Sequence, residues 1–461
     1  MASIITIPTS LPHYFLEKPD FEKIDKEKIY KKLERSGEKF TQFLQSVNEP
    51  KYLYWDEIKY KQIPEPLFAE EAWYLVKQFR TYLSRATIIK TEKGNYFKWI
   101  RLPYVDEFLH KIDISSGGQI FASMDVISES NKQKFISRGI IEEAIASSQL
   151  EGAHTTRQAA KKMITEKKQP TNKDEQMILN NFNTILKIDE DYKKQVLSES
   201  LIFELHRMIT YKTVTKEEQG RFRKNQDGIV VRGPIGSQEY ITHVPPNEDF
   251  VKDEMKKLLE YANDGINDKF VHPIIKAIFL HFWFGYLHPF TDGNGRLARV
   301  LFYWYLLRKG YWTFMYLPIS TVIKLAPVQY AMAYIYSEQD SNDFTYFFDF
   351  HIRKIIQSLN DFIDYVSKKI LENKEIDKIV SKDIHLVDRQ KYLLHHLISE
   401  DNASITVSSH AALNNISRQT AAKDIKQIEK IGLIVGTREG KFIKYRSSKK
   451  LQELSSTHLV S

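Results

Sequence analysis

The chain has 461 residues, of which 42% are apolar and 27% charged, with a net charge of +8. This composition is typical of folded globular proteins and excludes a largely disordered chain. There is no uncharged apolar run long enough for a membrane span, no N-terminal pattern of a secretory signal and no cysteine, so we expect a cytoplasmic protein of two or three domains that makes no membrane contact.

Helical periodicity dominates the first half of the chain. Residues 1–115 mix amphipathic stretches with polar breaks and predict a helical N-terminal region. The period recurs over about 136–152, over "TNKDEQMILNNFNTILKIDEDYKK" and over "SESLIFELHRMITYKT". In the last of these stretches, Ser198 or Ser200 is expected to cap the helix.

A block from Gly220 to Pro246 interrupts this periodicity. Its β-branched pieces "IVV" and "EYITHV" flank "RGPIGS", a pattern that predicts a β-hairpin over about 227–246. Pro245 and Pro246 are expected to end the hairpin, and helices resume from 247 to about 372.

The C-terminal region has its own pattern. A charged stretch predicts a domain boundary near 375–385, and residues 386–450 read as three helices followed by a two-stranded wing. Ser417 is expected to cap one of these helices, whose buried face would comprise Ala421, Ile425, Ile428 and Leu433. From Arg418 to Lys450 there are ten Lys and Arg against three Asp and Glu, a net charge of +7. The pattern predicts a winged helix-turn-helix with its basic residues towards DNA, although such modules also bind proteins.

The stretch "HPFTDGNGRLAR" at 288–299 lies between two apolar segments. We expect a helix to end at Leu287 and to place His288 at a turn, because Pro289 cannot continue the helix. Gly293 and Gly295 permit a tight loop, and the next helix would begin at about Gly295 with its free N–H groups facing the loop. Arg296 and Arg299 would add guanidinium clamps for phosphates.

Two further side chains give this loop its expected chemistry. Asp292 supplies the hard oxygen that Mg²⁺ prefers when it also binds nucleotide phosphates. His288 is placed to act as a general base towards a hydroxyl. A simple glycine turn with surface arginines would leave this combination of residues unexplained.

At these residues the chain resembles the Fic family, whose motif it matches from His288 to Arg299. The resemblance covers roughly 120–355 and implies a mainly α fold with a Fic-type helical core, a β-hairpin flap and a C-terminal winged helix. It implies transfer of AMP from Mg-ATP to a Ser, Thr or Tyr hydroxyl of a protein, so the expected cofactors are ATP and Mg²⁺. We place the Fic catalytic domain at 116–375, with the winged helix-turn-helix at 386–450.

The resemblance also implies residue roles. His288 is the base and Asp292 holds the metal. The nucleotide phosphates lie against the segment Gly293, Asn294, Gly295, Arg296, Leu297, Ala298 and Arg299. The flap would pair with an extended target segment and bring its hydroxyl near the base. The residues expected to dock the target are Ile229, Val230, Val231, Tyr240, Ile241 and Thr242.

One position departs from the family pattern. Many relatives carry an asparagine near the nucleotide base, in the segment that corresponds to "STVIKLAPVQY", and this chain has Ala326 there. Recognition of the adenine base is therefore less well specified by the sequence than recognition of the phosphates.

The stretch "SSQLEG" at 147–152 fits the family's inhibitory pattern. Ser147 and Glu151 are four residues apart on one face of a predicted helix, and Gly152 suits the end of that helix. The resemblance implies that Glu151 competes with ATP for Arg299 and prevents alignment of the nucleotide.

Several readings remain open at this stage. The same site could remove AMP from a modified protein, with Glu151 positioning water. The chain could also be a DNA-binding regulator with a nucleotide-sensing Fic core. Self-modification and a homodimer are further alternatives for the partner.

Overall fold

A computed structural model describes residues 11–115, 129–266, 270–379, 385–399, 403–414, 416–439 and 442–458. Within these ranges the chain is mainly α-helical, and its strands form three two-stranded antiparallel hairpins. The predicted mainly α fold class is therefore confirmed. The helices found in these ranges include none with the length and apolar character that crossing a bilayer requires.

The first part of the chain contains eight helices and one hairpin within the described residues. The helices are α1 (Lys26–Asn48), α2 (Trp55–Ile58), α3 (Ala69–Leu83), α4 (Tyr104–Ile114), α5 (Glu129–Leu150), α6 (Arg157–Thr165), α7 (Lys173–Glu190) and α8 (Glu199–Ile209). The hairpin consists of β1 (Arg85–Lys90) and β2 (Tyr96–Trp99).

The second part contains the other two hairpins. Here lie β3 (Val231–Ile235), β4 (Gln238–His243), α9 (Glu248–Ala262), α10 (Pro273–Leu287), α11 (Asn294–Arg308), α12 (Ile319–Lys324), α13 (Pro327–Gln339) and α14 (Thr345–Ile379). The chain continues with α15 (Asp388–Ser399), α16 (Val407–Asn414), α17 (Arg418–Lys430), β5 (Ile434–Glu439), β6 (Phe442–Ser447) and α18 (Lys449–His458).

Helix boundaries follow the capping residues. The Ser198 side chain accepts a hydrogen bond from the N–H of Leu201, so Ser198 rather than Ser200 is the N-cap of α8. The Ser417 side chain accepts from the N–H of Thr420 and caps α17 as predicted. Side-chain caps of this kind stabilise a helix by about 1 kcal/mol.

The chain divides into two compact units. Unit 1 combines Met1–Lys111, Asn183–Tyr311 and Ser320–Ile356, and unit 2 combines Ile112–Phe182, Trp312–Ile319 and Gln357–Ser461. Helix α5, which carries the predicted inhibitory segment, therefore belongs to the same unit as the C-terminal helices. The sequence instead predicts domain limits at 115, 375 and 386, which differ from the limits of these units.

Unit 1 is built around the pair α10 and α11. Both helices are buried on nearly all sides, which explains why their sequences show apolar residues without a polar face. Phe282 and Trp283 of α10 and Trp304 of α11 are completely buried. The hairpin of β1 and β2 adds Phe97, whose ring lies 5.0 Å from that of Phe282.

Unit 2 has two apolar clusters. One joins α5, α6 and α7 through Ile141, Ile145, Ala160, Met163, Ile164 and Ile178. The other forms the core of the C-terminal elements and includes Leu394, Ile425, Ile428 and Leu433, each with no exposed surface. The predicted buried face of α17 is thus confirmed, since Ala421 is also fully buried.

Candidate active site

His288 lies directly after the last residue of α10. Its backbone adopts the left-handed conformation, with φ 45° and ψ 57°, and its N–H donates to the carbonyl of Phe284 at 3.0 Å. A non-glycine residue rarely adopts this conformation unless its surroundings impose it. The helix therefore ends at this residue, and the chain turns into the loop that follows.

Arg223 is one of the groups that impose this conformation. Its guanidinium donates to the carbonyls of His288 at 2.7 Å and Pro246 at 2.6 Å, and its backbone N–H donates to the carbonyl of Pro289 at 2.8 Å. The side chain is buried, and these carbonyl dipoles compensate for part of the cost of burying its charge. Arg223 is distant in sequence from the catalytic loop, and no local pattern identifies it as a loop anchor.

The surroundings of His288 disfavour a charged imidazole. Burial lowers the pKa of His288 to about 3, and the positive charges of His243 and Arg223 act in the same direction. The ring is therefore neutral near pH 7 and has a free nitrogen lone pair. A general base requires this state.

His243 has partners that its sequence neighbourhood does not suggest. Its Nδ1 lies 2.7 Å from a carboxylate oxygen of Glu338, and its Nε2 lies 2.8 Å from the carbonyl oxygen of Tyr286. Since both partners are acceptors, both ring nitrogens carry hydrogens. Burial alone would lower the pKa of His243, but the Glu338 carboxylate outweighs this effect and raises it. His243 is thus a cation that helps to keep His288 neutral.

The loop closes onto the first turn of α11. Gly293 is the N-cap with φ 84°, a value that L side chains rarely adopt, and a Cβ at this position would meet the Thr210 methyl group at 3.0 Å. Helix α11 begins one residue earlier than predicted, at Asn294. Because the first N–H groups of a helix have no partner within the helix, this turn presents donors to an anion.

Asn294 braces this loop. Its side-chain amide donates to the carbonyl of Phe290 at 2.8 Å, and its side-chain oxygen accepts from the N–H of Phe290 at 2.9 Å. The side chain is buried. These two bonds occupy the side chain, so the backbone N–H is what Asn294 can offer to a phosphate.

Asp292 and Arg296 form an ion pair inside the loop. One guanidinium nitrogen of Arg296 lies 3.0 Å from Oδ1 of Asp292, and another donates to the carbonyl of Ile209 at 3.1 Å. Arg296 is completely buried, and its Nε has no hydrogen-bond partner. A buried cation with an unused donor is compatible with a bound phosphate.

Asp292 has one oxygen available for a metal ion. Its Oδ1 accepts the bonds from Arg296 and from the N–H of Gly293, and 39% of the side chain is exposed. Within the described ranges, no group of three metal-binding side chains comes together. The site therefore fits Mg²⁺ held by one carboxylate and nucleotide phosphates, which is a common arrangement for this ion.

His206 supports the loop from α8. Its Nδ1 accepts from the N–H of Gly220 at 2.9 Å, so its Nε2 donates to the carbonyl of Asp292 at 2.9 Å. The ring stacks on Phe290 with centroids 3.8 Å apart. Burial lowers the pKa of His206 to about 4, which keeps the ring neutral. Sequence analysis missed this residue, because its partners come from two distant segments.

The remaining phosphate-site residues of the prediction lie on α11. The side chains of Leu297 and Ala298 are fully buried, and the N–H of Leu297 donates to the carbonyl of Gly293 at 2.9 Å. Gly295 occupies the first turn, and Arg299 is buried one turn further along the helix. Ala326 precedes α13 as its N-cap residue, without a side-chain hydrogen bond to the helix.

The flap hairpin exists but differs in detail from the prediction. Strands β3 and β4 are joined by a two-residue turn at Gly236 and Ser237, because Ile235 pairs directly with Gln238. Ile229 and Val230 precede β3. The side chains of Val231, Tyr240 and Thr242 are partly exposed, and their role in docking a target stays a prediction.

One predicted docking residue, Ile241, is already occupied. Its side chain is buried, its N–H donates to the carbonyl of Pro12 at 2.9 Å, and its carbonyl accepts from the N–H of Tyr14 at 3.0 Å. Residues 12–14, which we call the N-terminal segment, therefore pair in parallel with the outer edge of β4. The prediction of Ile241 as a docking residue was wrong, because a distant part of the chain covers it.

The predicted inhibitory segment ends α5 in unit 2. Gly152 has φ 92°, which suits a glycine that follows a helix end, and Ser147 is buried. Ile141 and Ile145 of the same helix lie in an apolar cluster. Arg299 belongs to unit 1, and the competition between Glu151 and ATP for this residue stays a prediction.

Comparisons with known proteins find similarity to one family. Residues 196–306 match the Fic/DOC family. "Protein adenylyltransferase Fic" from Drosophila willistoni is 34% identical over 113 residues, which cover 24% of this chain and 20% of that protein. The protein of the same name from Nematostella vectensis is 33% identical over 141 residues, or 28% of this chain and 29% of the relative. The matches thus span less than a third of these relatives.

Solved structures are also similar to the chain. A Fic family protein from Desulfovibrio desulfuricans shares 21% identity, with a TM-score of 0.47 and coverage of 74% of this chain and 96% of the other. A Fic domain-containing signaling protein from Bacteroides thetaiotaomicron shares 19% identity, with a TM-score of 0.41 and coverage of 57% and 97%. The complete loop motif lies within residues 196–306, the part of this chain that is similar to the Fic/DOC family.

Proposed function

We propose that this chain transfers AMP from ATP to a hydroxyl group of a protein, with His288 as the general base. The observation that carries the proposal is the loop between α10 and α11, in which His288, whose pKa burial lowers, directly follows α10 and the first turn of α11 supplies free N–H donors. The names of the curated relatives support the same reaction class.

The reaction needs one proton acceptor and a site for phosphates. The target oxygen attacks the α-phosphorus of ATP and forms a new P–O bond, while its proton passes to the His288 imidazole. The bond from the α-phosphorus to the bridging oxygen of the β-phosphate breaks, and pyrophosphate leaves. His288 then returns the proton to solvent. The neutral ring can accept this proton without first losing one.

The loop supplies the rest of the site. Arg296 and the first-turn N–H groups of α11 would bind phosphate oxygens, and Arg299 would bind the terminal phosphates. Mg²⁺ on Asp292 would neutralise phosphate charge. Because Asn294, His206 and Arg223 fix the loop through backbone bonds, these groups would be in place before the nucleotide binds.

ATP labelled at a single phosphate tests which group is transferred. We expect incubation with ATP and Mg²⁺ to label protein when the isotope is on the α-phosphate and not when it is on the γ-phosphate. His288→Ala should abolish labelling, whereas His154→Ala, a change at an exposed histidine of unit 2, should retain it. Labelling from γ-labelled ATP would instead indicate phosphate transfer and contradict the proposal.

We further propose that Glu151 inhibits this activity by competing with ATP for Arg299. Ser147 lies in the last turn of α5 and Glu151 directly follows the helix, before Gly152 in a conformation that suits a helix end. A carboxylate on Arg299 would remove a cation that the terminal phosphate needs, and the α-phosphate would then be misaligned.

Two substitutions of Glu151 separate charge from backbone effects. Glu151→Gly should raise α-label transfer, including self-modification. Glu151→Gln removes the charge and keeps the helix preference, so it should also raise transfer. If only the glycine variant were activated, helix loosening would explain the result and the charge competition would be refuted.

The flap would dock the target through β3. The outer edge of β4 carries the N-terminal segment, whereas Arg232 and Pro234 of β3 are exposed. An extended target segment would therefore add next to β3. Pro234 has no N–H, so the backbone N–H of Arg232 would be a principal donor on this edge.

A second function concerns the C-terminal elements. Arg418, Lys423 and Lys426 are exposed on α17, the helix that a winged helix-turn-helix would present to DNA. Binding of duplex DNA would make the chain a regulator as well as an enzyme. Removal of AMP by the same site is the third alternative, and release of AMP from a modified protein by the wild type would support it.

A further inference from the structure

A cavity of about 230 Å³ lies within unit 2, and the described residues that line it include none of the catalytic loop. Helix α5 contributes Arg138 to its wall, α6 contributes Lys161, α14 contributes Tyr365, and α15 contributes Arg389. Among the described residues that line it, the charged side chains are cations and none is a carboxylate. We call this feature the α5–α15 cavity.

Two of the nearby cations have carboxylate partners. Arg389 donates to Asp424 through two bonds of 2.5 and 2.9 Å, and the carboxylate is also 3.2 Å from Nε2 of His410. Arg157, beside the cavity, donates to Glu142 at 2.7 Å. In each pair the charge of the arginine is balanced by that of the carboxylate, so neither pair supplies net charge to a ligand.

Arg138 and Lys161 differ from those pairs. Within the described ranges, neither forms an ion pair with a carboxylate, so the pair adds a net charge of about +2 to the cavity wall. The Arg138 guanidinium lies 3.6 Å from the ring centroid of Tyr365, which holds it in one orientation. Burial lowers the pKa of Lys161; the carboxylate of Glu142, which is paired with Arg157, opposes this effect, and the charges of Arg157 and Arg138 add to it.

Such an arrangement is unfavourable in the absence of an anion. Two like charges in a partly desolvated cavity repel each other, and a dianion between them would reverse the sign of this interaction. A phosphate monoester carries a charge of about −2 at neutral pH, and guanidinium groups bind phosphate oxygens with two parallel bonds. The volume lies below the usual range of small-molecule sites, which limits the ligand to a small one.

We propose that the α5–α15 cavity binds a small phosphate monoester, with the phosphate between Arg138 and Lys161 and the remainder against Tyr365 and the apolar residues of α15 and α16. The ligand would join α5 to the C-terminal helices. This proposal does not depend on the chemistry at His288.

Protection of Lys161 from modification tests the site directly. The full-length protein would be treated with acetic anhydride, with and without inorganic phosphate or glycerol 3-phosphate, at equal ionic strength. Mapping by peptide mass spectrometry should show slower acetylation of Lys161 in the presence of either anion. The exposed neighbour Lys162 should react at an unchanged rate. Equal protection of both lysines, or of neither, would overturn the proposal.

Affinity measurements add a second readout. Calorimetric titration with glycerol 3-phosphate should give a dissociation constant that Lys161→Met and Arg138→Gln each raise about tenfold, a loss typical of one charged phosphate contact. Lys162→Met is the matched control and should bind as the wild type does. The wild type and the three variants have the same catalytic loop. Anion binding at that loop therefore contributes equally to the heat measured for each protein.

The Met variant should also fold normally, because it removes a partly desolvated charge and keeps the side-chain length. Its melting temperature without ligand should equal or exceed that of the wild type. If Lys161→Met binds glycerol 3-phosphate as tightly as Lys162→Met, the anion binds elsewhere and the assignment is wrong.

Discussion

The His288 imidazole lies among groups that disfavour its protonation. Burial has the largest effect on its pKa, and His243 and Arg223 add positive charge nearby. His243 keeps its charge because Glu338, from α13, pairs with it. A base that is neutral well below pH 7 gives an enzyme whose rate does not depend on the ordinary titration range of histidine.

This pKa predicts the pH dependence of AMP transfer. The active form of His288 is deprotonated, and a pKa of about 3 means that it stays deprotonated as the pH falls from 8 to about 5.5. The specific rate kcat/KM for α-label transfer should therefore show no acidic limb near pH 6.5. The pH dependence of ATP binding is the control. An acidic limb near pH 6.5 that appears in kcat/KM and not in ATP binding would contradict the neutral base.

His206 acts on the same loop through backbone contacts and does not face the reacting atoms. We expect His206→Phe, which keeps an aromatic ring against Phe290, to lose both hydrogen bonds and to leave the partly buried N–H of Gly220 without its acceptor. The free energy of unfolding should fall by about 1–3 kcal/mol, as measured by urea denaturation.

The pH dependence of the free energy of unfolding tests whether the His206 ring is neutral in the folded protein. Its folded pKa of about 4 lies below the unfolded value of about 6.5, so its contribution to stability is present above pH 6.5 and is lost as the pH falls towards 4. His206→Phe should flatten this part of the stability curve. An unchanged curve would mean that the ring is not held neutral in the wild type.

At the scale of elements, the flap is held by a segment from the other end of unit 1. The N-terminal segment binds β4 through two backbone bonds, and Gln339 of α13 holds it from the other side. The Gln339 amide donates to the carbonyl of Tyr14 at 2.9 Å and accepts from the N–H of Leu16 at 2.9 Å. Strand β4 therefore lies between β3 and the N-terminal segment, and the outer edge of β3 is the side of the flap that this segment does not cover.

A single substitution tests this arrangement. Tyr14→Pro removes the N–H that donates to Ile241, so the amides of β4 should exchange hydrogen faster by mass spectrometry. Phe15→Pro is the matched control, because the exposed Phe15 has no such bond to β4. Equal exchange in both variants would show that the segment does not hold the flap.

At the scale of the whole chain, the C-terminal elements share a unit with α5. Ile141 of α5 and Leu393 of α15 line the same cavity. Removal of residues after 380 would therefore expose apolar surface on α5 as well as delete the basic helix α17. Truncation is a poor test of DNA binding for this reason.

Substitutions on α17 give a cleaner test. We expect Lys423→Gln with Lys426→Gln to preserve the melting temperature, since both side chains are exposed. If α17 binds duplex DNA through phosphates, the variant should bind more weakly and with a smaller salt dependence than the wild type. Wild-type binding that is absent, or insensitive to salt, would exclude the DNA-binding reading.

The sequence by itself determined the catalytic loop, because its function depends on residue types at fixed spacing along one turn between two helices. It also determined the helical fold class, the cap at Ser417 and the buried face of α17, since these follow from local periodicity and local hydrogen bonds, whereas it left Ser198 and Ser200 as alternatives for the cap of α8. Tertiary structure alone decided the charge state of His243, the support from Arg223 and His206, and the occupant of the β4 edge. Each of these depends on groups that are far apart in the chain. Burial and hydrogen bonding depend on which groups are close in space, and the fold alone brings these groups together.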